Sequence, residues 1–111
     1  MQTHAEFPLA VALHGGSGTI LRDRMTPEKE QAYRTALEDA REAAWRLLVA
    51  GACALDAVEA GARFLEDCPL FNAGRGSVLT AEGQHELDAA VMEGERRRAG
   101  AVAGLSTVQI G

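Results

Sequence analysis

The side chains best able to do chemistry in this chain gather in a few short stretches. In "CPLFNAGRGSVLT" (68–80), Asn72 carries a carboxamide that both donates and accepts, and Gly74 and Gly76 flank Arg75 just behind it. Glycine admits positive φ and close approach of the main chain, so the backbone here is shaped for contact. An amide opening such a loop either bonds a ligand or braces the turn.

"LHGGSGT" (13–19) invites three readings. As a phosphate loop it lacks the lysine and a helix directly after the glycines. Ser17 nearly fits a nucleophile elbow, but Thr19 stands where G-x-S-x-G ends in glycine, and His14 lies too close in sequence to partner it. The third reading is a glycine turn leaving a strand, whose backbone N–H groups can line a site. "ELDAAVMEG" (86–94) places Glu86, Asp88 and Glu93 in or beside a strand. Alternation puts Glu86 and Asp88 on one face and Leu87 and Ala89 on the other. Paired carboxylates suit general acid–base work; the plainer reading is a solvated strand face or a turn-bonding aspartate. Cys53, Cys68, His14 and His85 have no metal-ligand spacing, so the cysteines read as two free thiols. Arg96 to Arg98 read as a solvated hairpin tip.

These groups need elements to hold them. "PLAVALH" (8–14) is a short apolar run cut off by glycines, which predicts a buried strand. "TPEKE" predicts a helix start: Thr26 caps, Pro27 fits the first turn, and Glu28 and Glu30 suit the positive helix end. Tyr33, Ala36, Leu37, Ala40, Ala44, Leu47 and Leu48 then follow helical spacing up to Gly51. A second helix over about 54–67 is small and apolar around its girth, which predicts that it is sandwiched between other elements; Pro69 ends it. "SVLT" and "HELDAAVM" read as strands joined by the turn "AEGQ". "EGERRR" is a further turn, and "AGAVAGLSTVQI" (99–110) a third strand. The order of strand, two helices and meander predicts an α+β fold with helices packed on a sheet.

The totals set limits. At 111 residues the chain amounts to one small domain. Hydrophobic residues make up 47% and charged residues 24%, an ordinary globular balance. A net charge of −5 speaks against non-specific nucleic-acid binding, which needs basic surface. No apolar run reaches the ~18 residues of a membrane span. "FPLAVAL" has Glu6 and Pro8 where a signal peptide needs basic residues and an unbroken apolar stretch, which predicts a cytoplasmic protein. The apolar finish through Ile110 predicts an exposed sheet edge and the front part of something longer.

Taken together, "LHGGSGTI", "ALDAVEAGARFLEDCPLFNAGRGSVLT", "HELDAAVMEG" and "AGAVAGLSTV" resemble, in this order, the plant-type (type III) asparaginase and isoaspartyl peptidase family of N-terminal nucleophile hydrolases. The likeness runs from about Leu9 to Val108. It implies a four-layer α-β-β-α sandwich made as one precursor that cleaves itself into two subunits. Residues 1–111 would be the incomplete N-terminal (α-subunit) part of that single domain. A threonine freed at the new N-terminus would be nucleophile and, through its α-amine, base. It would attack the side-chain amide of asparagine or the β-linked bond of an isoaspartyl dipeptide. None of Thr3, Thr19, Thr26, Thr35, Thr80 and Thr107 lies in the required context, so the C-terminal (β-subunit) portion is an implied partner, and a dimer of αβ units the implied assembly.

Residue by residue, the resemblance implies a structural sodium ion and no organic cofactor. Main-chain oxygens of Leu65, Glu66, Cys68, Phe71, Ala73 and Arg75 would hold the ion, stiffening the loop beside the nucleophile. Arg75 replaces an apolar residue usual there, though its carbonyl serves equally. Asn72 would stand at the active-site wall, and His14, Gly15 and Gly16 would match the loop behind the cleavage site. A reading of another class also stands: a non-catalytic binding or structural domain derived from this scaffold.

Overall fold

The computed structural model describes residues 8–16, 22–71 and 86–105. Helix α1 spans Pro27–Val49 and helix α2 spans Ala54–Asp67; strands β1 (Leu87–Glu93) and β2 (Arg98–Leu105) follow. A single 3-10 turn, Arg22–Arg24, precedes α1. The described residues are therefore a mixture of helices and an antiparallel sheet, as an α+β chain requires.

Local chemistry sets the helix ends. The Thr26 hydroxyl accepts the Lys29 N–H at 3.1 Å, and Pro27 opens the first turn with its φ already helical. At the other end Gly51 takes φ +94°, which lets the chain fold back on α1. Its N–H reaches the Leu48 carbonyl at 3.0 Å and the Ala52 N–H reaches that of Leu47 at 2.9 Å. That pair of bonds is a Schellman closure, and it explains the stop at Gly51. Helix α2 begins at Cys53, whose thiol makes no capping bond. It ends because Pro69 forces the residue before it out of the helical region: Cys68 is extended at φ −97°, ψ 119°.

The two helices meet through small side chains. Ala36, Ala40 and Ala44 of α1 and Ala57 and Gly61 of α2 are buried, so the axes approach closely with little between them. Among the described residues α2 packs chiefly on α1 and also touches β1, with Leu13 of the extended segment beside Gly61, so the sandwich that its apolar girth predicts is present in part. Val58 stays 50% exposed.

Residues 8–14 correct the predicted buried strand. Leu9, Val11 and Leu13 are half-buried while Pro8, Ala10, Ala12 and His14 are exposed, the alternation of an extended chain. The segment has no strand hydrogen bonding, since the sheet among the described residues holds β1 and β2 alone. Alternation sets which side chains turn inward, but a strand also needs a neighbour to bond. Here the apolar side instead meets helix, Leu13 lying beside Gly61.

The sheet is a hairpin in which Glu93 pairs with Arg98 and Ala90 with Ala101. Four residues, Gly94 to Arg97, make its turn, with Arg97 at φ 54°. Both strands carry exposed apolar side chains: Val91, Met92 and Val102 are each about half open. The predicted strand at 77–80 and its turn to β1 lie outside the described residues, as do 106–111. No helix among the described residues is long and apolar enough to cross a membrane.

Candidate functional site

The glycine segment at 14–16 and the chain leaving α2 are brought together. Phe71, three residues past Cys68, is buried and lies against Gly15. A methyl group on Gly15 would stand 2.8 Å from Cε1 and 3.2 Å from Cδ1 of that ring, and 3.1 Å from Cδ2 of Leu37. Tyr33 meets the same ring edge to face, with centroids 5.9 Å apart and planes at 82°. Two of the stretches singled out for chemistry are thus in van der Waals contact, with α1 as the backstop.

The two glycines of "HGG" serve different ends. Gly15 needs the absence of a side chain, because the aromatic ring fills that space. Gly16 needs the conformation, at φ 117° with nothing nearby. That conformation turns the Gly16 N–H back onto His14, where Nδ1 accepts it at 2.9 Å. With Nδ1 accepting, the proton of the neutral imidazole sits on Nε2 of an exposed ring.

At the end of α2 the main-chain oxygens of Leu65 and Cys68 each accept one N–H, from Cys68 at 3.2 Å and from Phe71 at 3.4 Å. The last carbonyls of a helix lack intrahelical partners and carry the negative end of its dipole. Residues 65 and 66 belong to the last turn of α2, and 68 and 71 to the chain that leaves it. The half-buried Glu66 carboxyl is pushed above its ordinary range, mainly by desolvation and then by the neighbouring Asp67, while Arg63 pulls the other way.

Asn72, Ala73 and Arg75 lie outside the described residues, as do Ser17, Thr19 and His85. Cys53 and Cys68 are free thiols, and no cluster of three or more His, Cys, Asp or Glu that could hold a metal ion occurs among the described residues. Asp88 takes the structural role of the two weighed for it. Its carboxylate accepts the Gly104 N–H at 3.0 Å, beside the register shift between Leu87 and Ala89, where Gly104 has φ +68°. It braces a bulge across the hairpin. Glu86 is exposed beside it. Tyr33 and Leu37 were not legible as site residues. Their one signal is that they share the buried stripe of α1 with Ala40 and Ala44, and that Tyr33 is the sole tyrosine.

The family model described as asparaginase matches residues 7–110, nearly the whole chain. An isoaspartyl peptidase of Salmonella typhimurium is 52% identical over 99 residues, covering 89% of this chain and 32% of that protein. An isoaspartyl peptidase of Escherichia coli is 50% identical over 86% of this chain and 30% of its own length. A plant-type L-asparaginase of Pyrococcus abyssi is 47% identical over 87% of this chain and 30% of its own. The chain thus spans about a third of the length of the curated relatives it matches. With the match spanning the 14–16 segment and the Phe71 that packs on it, this chain belongs to the asparaginase family.

Proposed function

We propose that this chain is the N-terminal part of an amidohydrolase that cleaves the side-chain amide of L-asparagine or the β-aspartyl bond of isoaspartyl peptides. The observation that carries this reading is the seating of Gly15 on Phe71, which brings the 14–16 segment against the chain leaving α2, one residue before Asn72 in sequence. The names of the relatives support the substrate class. The half-exposed apolar side chains of the hairpin support a place within a larger body, the four-layer α-β-β-α sandwich made with a C-terminal portion and paired as αβ units.

In that body a threonine at a newly cut N-terminus attacks the substrate's side-chain carbonyl carbon. Its hydroxyl proton passes to its own α-amine and on to the leaving nitrogen, which departs as ammonia or as the amine of a peptide. The β-aspartyl ester left behind is hydrolysed by water, returning the threonine. This chain contributes the wall. Asn72 presents its carboxamide beside the nucleophile, and His14, Gly15 and Gly16 back the cleavage junction. The oxygens of Leu65, Glu66, Cys68 and Phe71, with those of Ala73 and Arg75, suit a sodium ion, because a hard monovalent cation takes neutral carbonyl oxygen. When bound, such an ion stiffens the turn and supplies no reacting group.

The test is release of ammonia from L-asparagine, and of the free amino acid from a β-aspartyl dipeptide, by the protein joined to its C-terminal portion. Turnover of at least one is expected, while the 111-residue chain alone releases neither above a heat-killed control. A joined protein that cuts itself yet turns over neither substrate would refute the proposal.

A further inference from the structure

We propose that the Phe71 ring is a positioning residue: wedged between Gly15 and Tyr33, it sets where the 14–16 segment stands against the end of α2. The inference rests on the hydrolase reading for its kinetic consequence, and on contacts alone for its geometry. Phe71 is the sole large side chain buried among the described residues; the others buried there are alanines and a glycine. Its Cε1 and Cδ1 fill the space that a Cβ on Gly15 would occupy. Tyr33 meets the ring from α1 at a centroid distance of 5.9 Å, and Leu37 Cδ2, like the ring, crowds the space a side chain on Gly15 would take. A displaced ring moves the main chain on both sides of the contact. On one side stand His14 and Gly16, tied by their 2.9 Å bond. On the other, Asn72 follows in the chain.

The exclusion at Gly15 is one of space. Positive φ is found at Gly16, Gly51 and Gly104 among the described glycines, and Gly15 is not one of them. Its backbone accepts alanine, and the ring does not. Shortening the ring should therefore undo the damage of an added methyl. That reversal would not follow if Gly15 acted through flexibility or if Phe71 were mere filling.

The experiment compares Gly15→Ala, Phe71→Leu, the double variant and Tyr33→Phe in the joined protein, reading kcat, KM and the Gly16 amide resonance. Gly15→Ala is expected to lower kcat by about tenfold with KM within about twofold, a misplacement rather than a binding effect. Phe71→Leu removes Cε1, so the double variant should recover at least half of the lost turnover. Tyr33→Phe keeps the ring edge and should stay near the parent. Parent-level kcat in Gly15→Ala, or a double variant no better than Gly15→Ala, overturns the proposal while leaving the hydrolase reading intact. If the parent protein is inactive on both substrates, the hydrolase reading fails and the Gly16 amide decides positioning. Its resonance must shift in Gly15→Ala and return in the double variant; a resonance unmoved by Gly15→Ala overturns the proposal.

Discussion

Replacing Gly61 with alanine should strengthen the helix pair, although a buried glycine at a helix crossing is commonly read as irreplaceable. The added methyl would lie 3.7 Å from the Ala40 carbonyl oxygen, 3.7 Å from Ala44 Cβ and 3.8 Å from Leu13 Cδ1. Those are ordinary contact distances, so nothing has to move. Alanine is favoured over glycine inside a helix by about 1 kcal/mol. Burying one more methyl-sized group adds about 0.8 kcal/mol. The sum, about 1.5 to 2 kcal/mol, corresponds to a roughly 10- to 30-fold slower opening-limited exchange of the α2 amides. Amide hydrogen exchange reads this residue by residue, in this chain and in any longer form that carries it.

A control separates close packing from general tolerance. Leucine at the same position sends three further carbons into Ala40 and Ala44, and overpacking of this kind costs about 1–3 kcal/mol. Exchange across α1 and α2 should quicken in Gly61→Leu and slow in Gly61→Ala. If the alanine variant exchanged as fast as the parent or faster, the helices would not stand at the separation described, and the small-residue account of their contact would be wrong.

Other perturbations act at single points. Gly51→Ala forces a side chain onto a residue at φ +94° and should lower stability by about 1 kcal/mol, read as a lower urea midpoint with an unchanged slope. Thr26→Ala removes the hydroxyl that accepts the Lys29 N–H and should lower stability by about 1 kcal/mol, while serine restores it. Glu66 has its folded pKa raised by burial and by Asp67, so its contribution to stability is full below the unfolded carboxylate range and is lost as pH rises through the folded value. Glu66→Gln should therefore melt higher than the parent near neutral pH, and the difference should vanish in acid; a gap that widened on acidification would reverse the sign of the burial effect.

What the sequence made legible follows the range of the forces involved. Both helices were readable to within a residue or two because their ends depend on neighbours: Thr26 and Pro27 at one end, Gly51 and Pro69 at others. The hairpin turn at Gly94 to Arg97 was readable for the same reason. The segment 8–14 shows where local reading stops. Its inward and outward alternation is a property of its own side chains, but a ladder belongs to two segments at once, and no periodicity names the second. Asp88 illustrates the ambiguity of type. A carboxylate on a strand looks alike whether it serves a substrate or a bulge, and only its partner, the Gly104 N–H, separates them. Tyr33 and Leu37 were counted as core by their spacing. Their meeting with Phe71 and Gly15 depends on how the chain after α2 turns back.

That turn back also ties the stability of the described chain to its site. The α1–α2 seam is lined by alanines and a glycine, each contributing little apolar area, so the seam brings the helices near without holding them firmly. Phe71 is different in scale: an aromatic side chain removes some 150–250 Å² from water when buried. It lies at 6% exposure, touching α1 through Tyr33 and the 14–16 segment through Gly15. The largest single apolar contribution in the described core is thus made at the point where the chain leaving α2 meets the 14–16 segment. A substitution that empties this point, Phe71→Ala, should loosen α1, α2 and the 14–16 segment together. Exchange protection would then fall in all three. Loss confined to the residues around position 71 would show that the alanine seam carries the packing alone, and that the ring serves the loop without serving the fold.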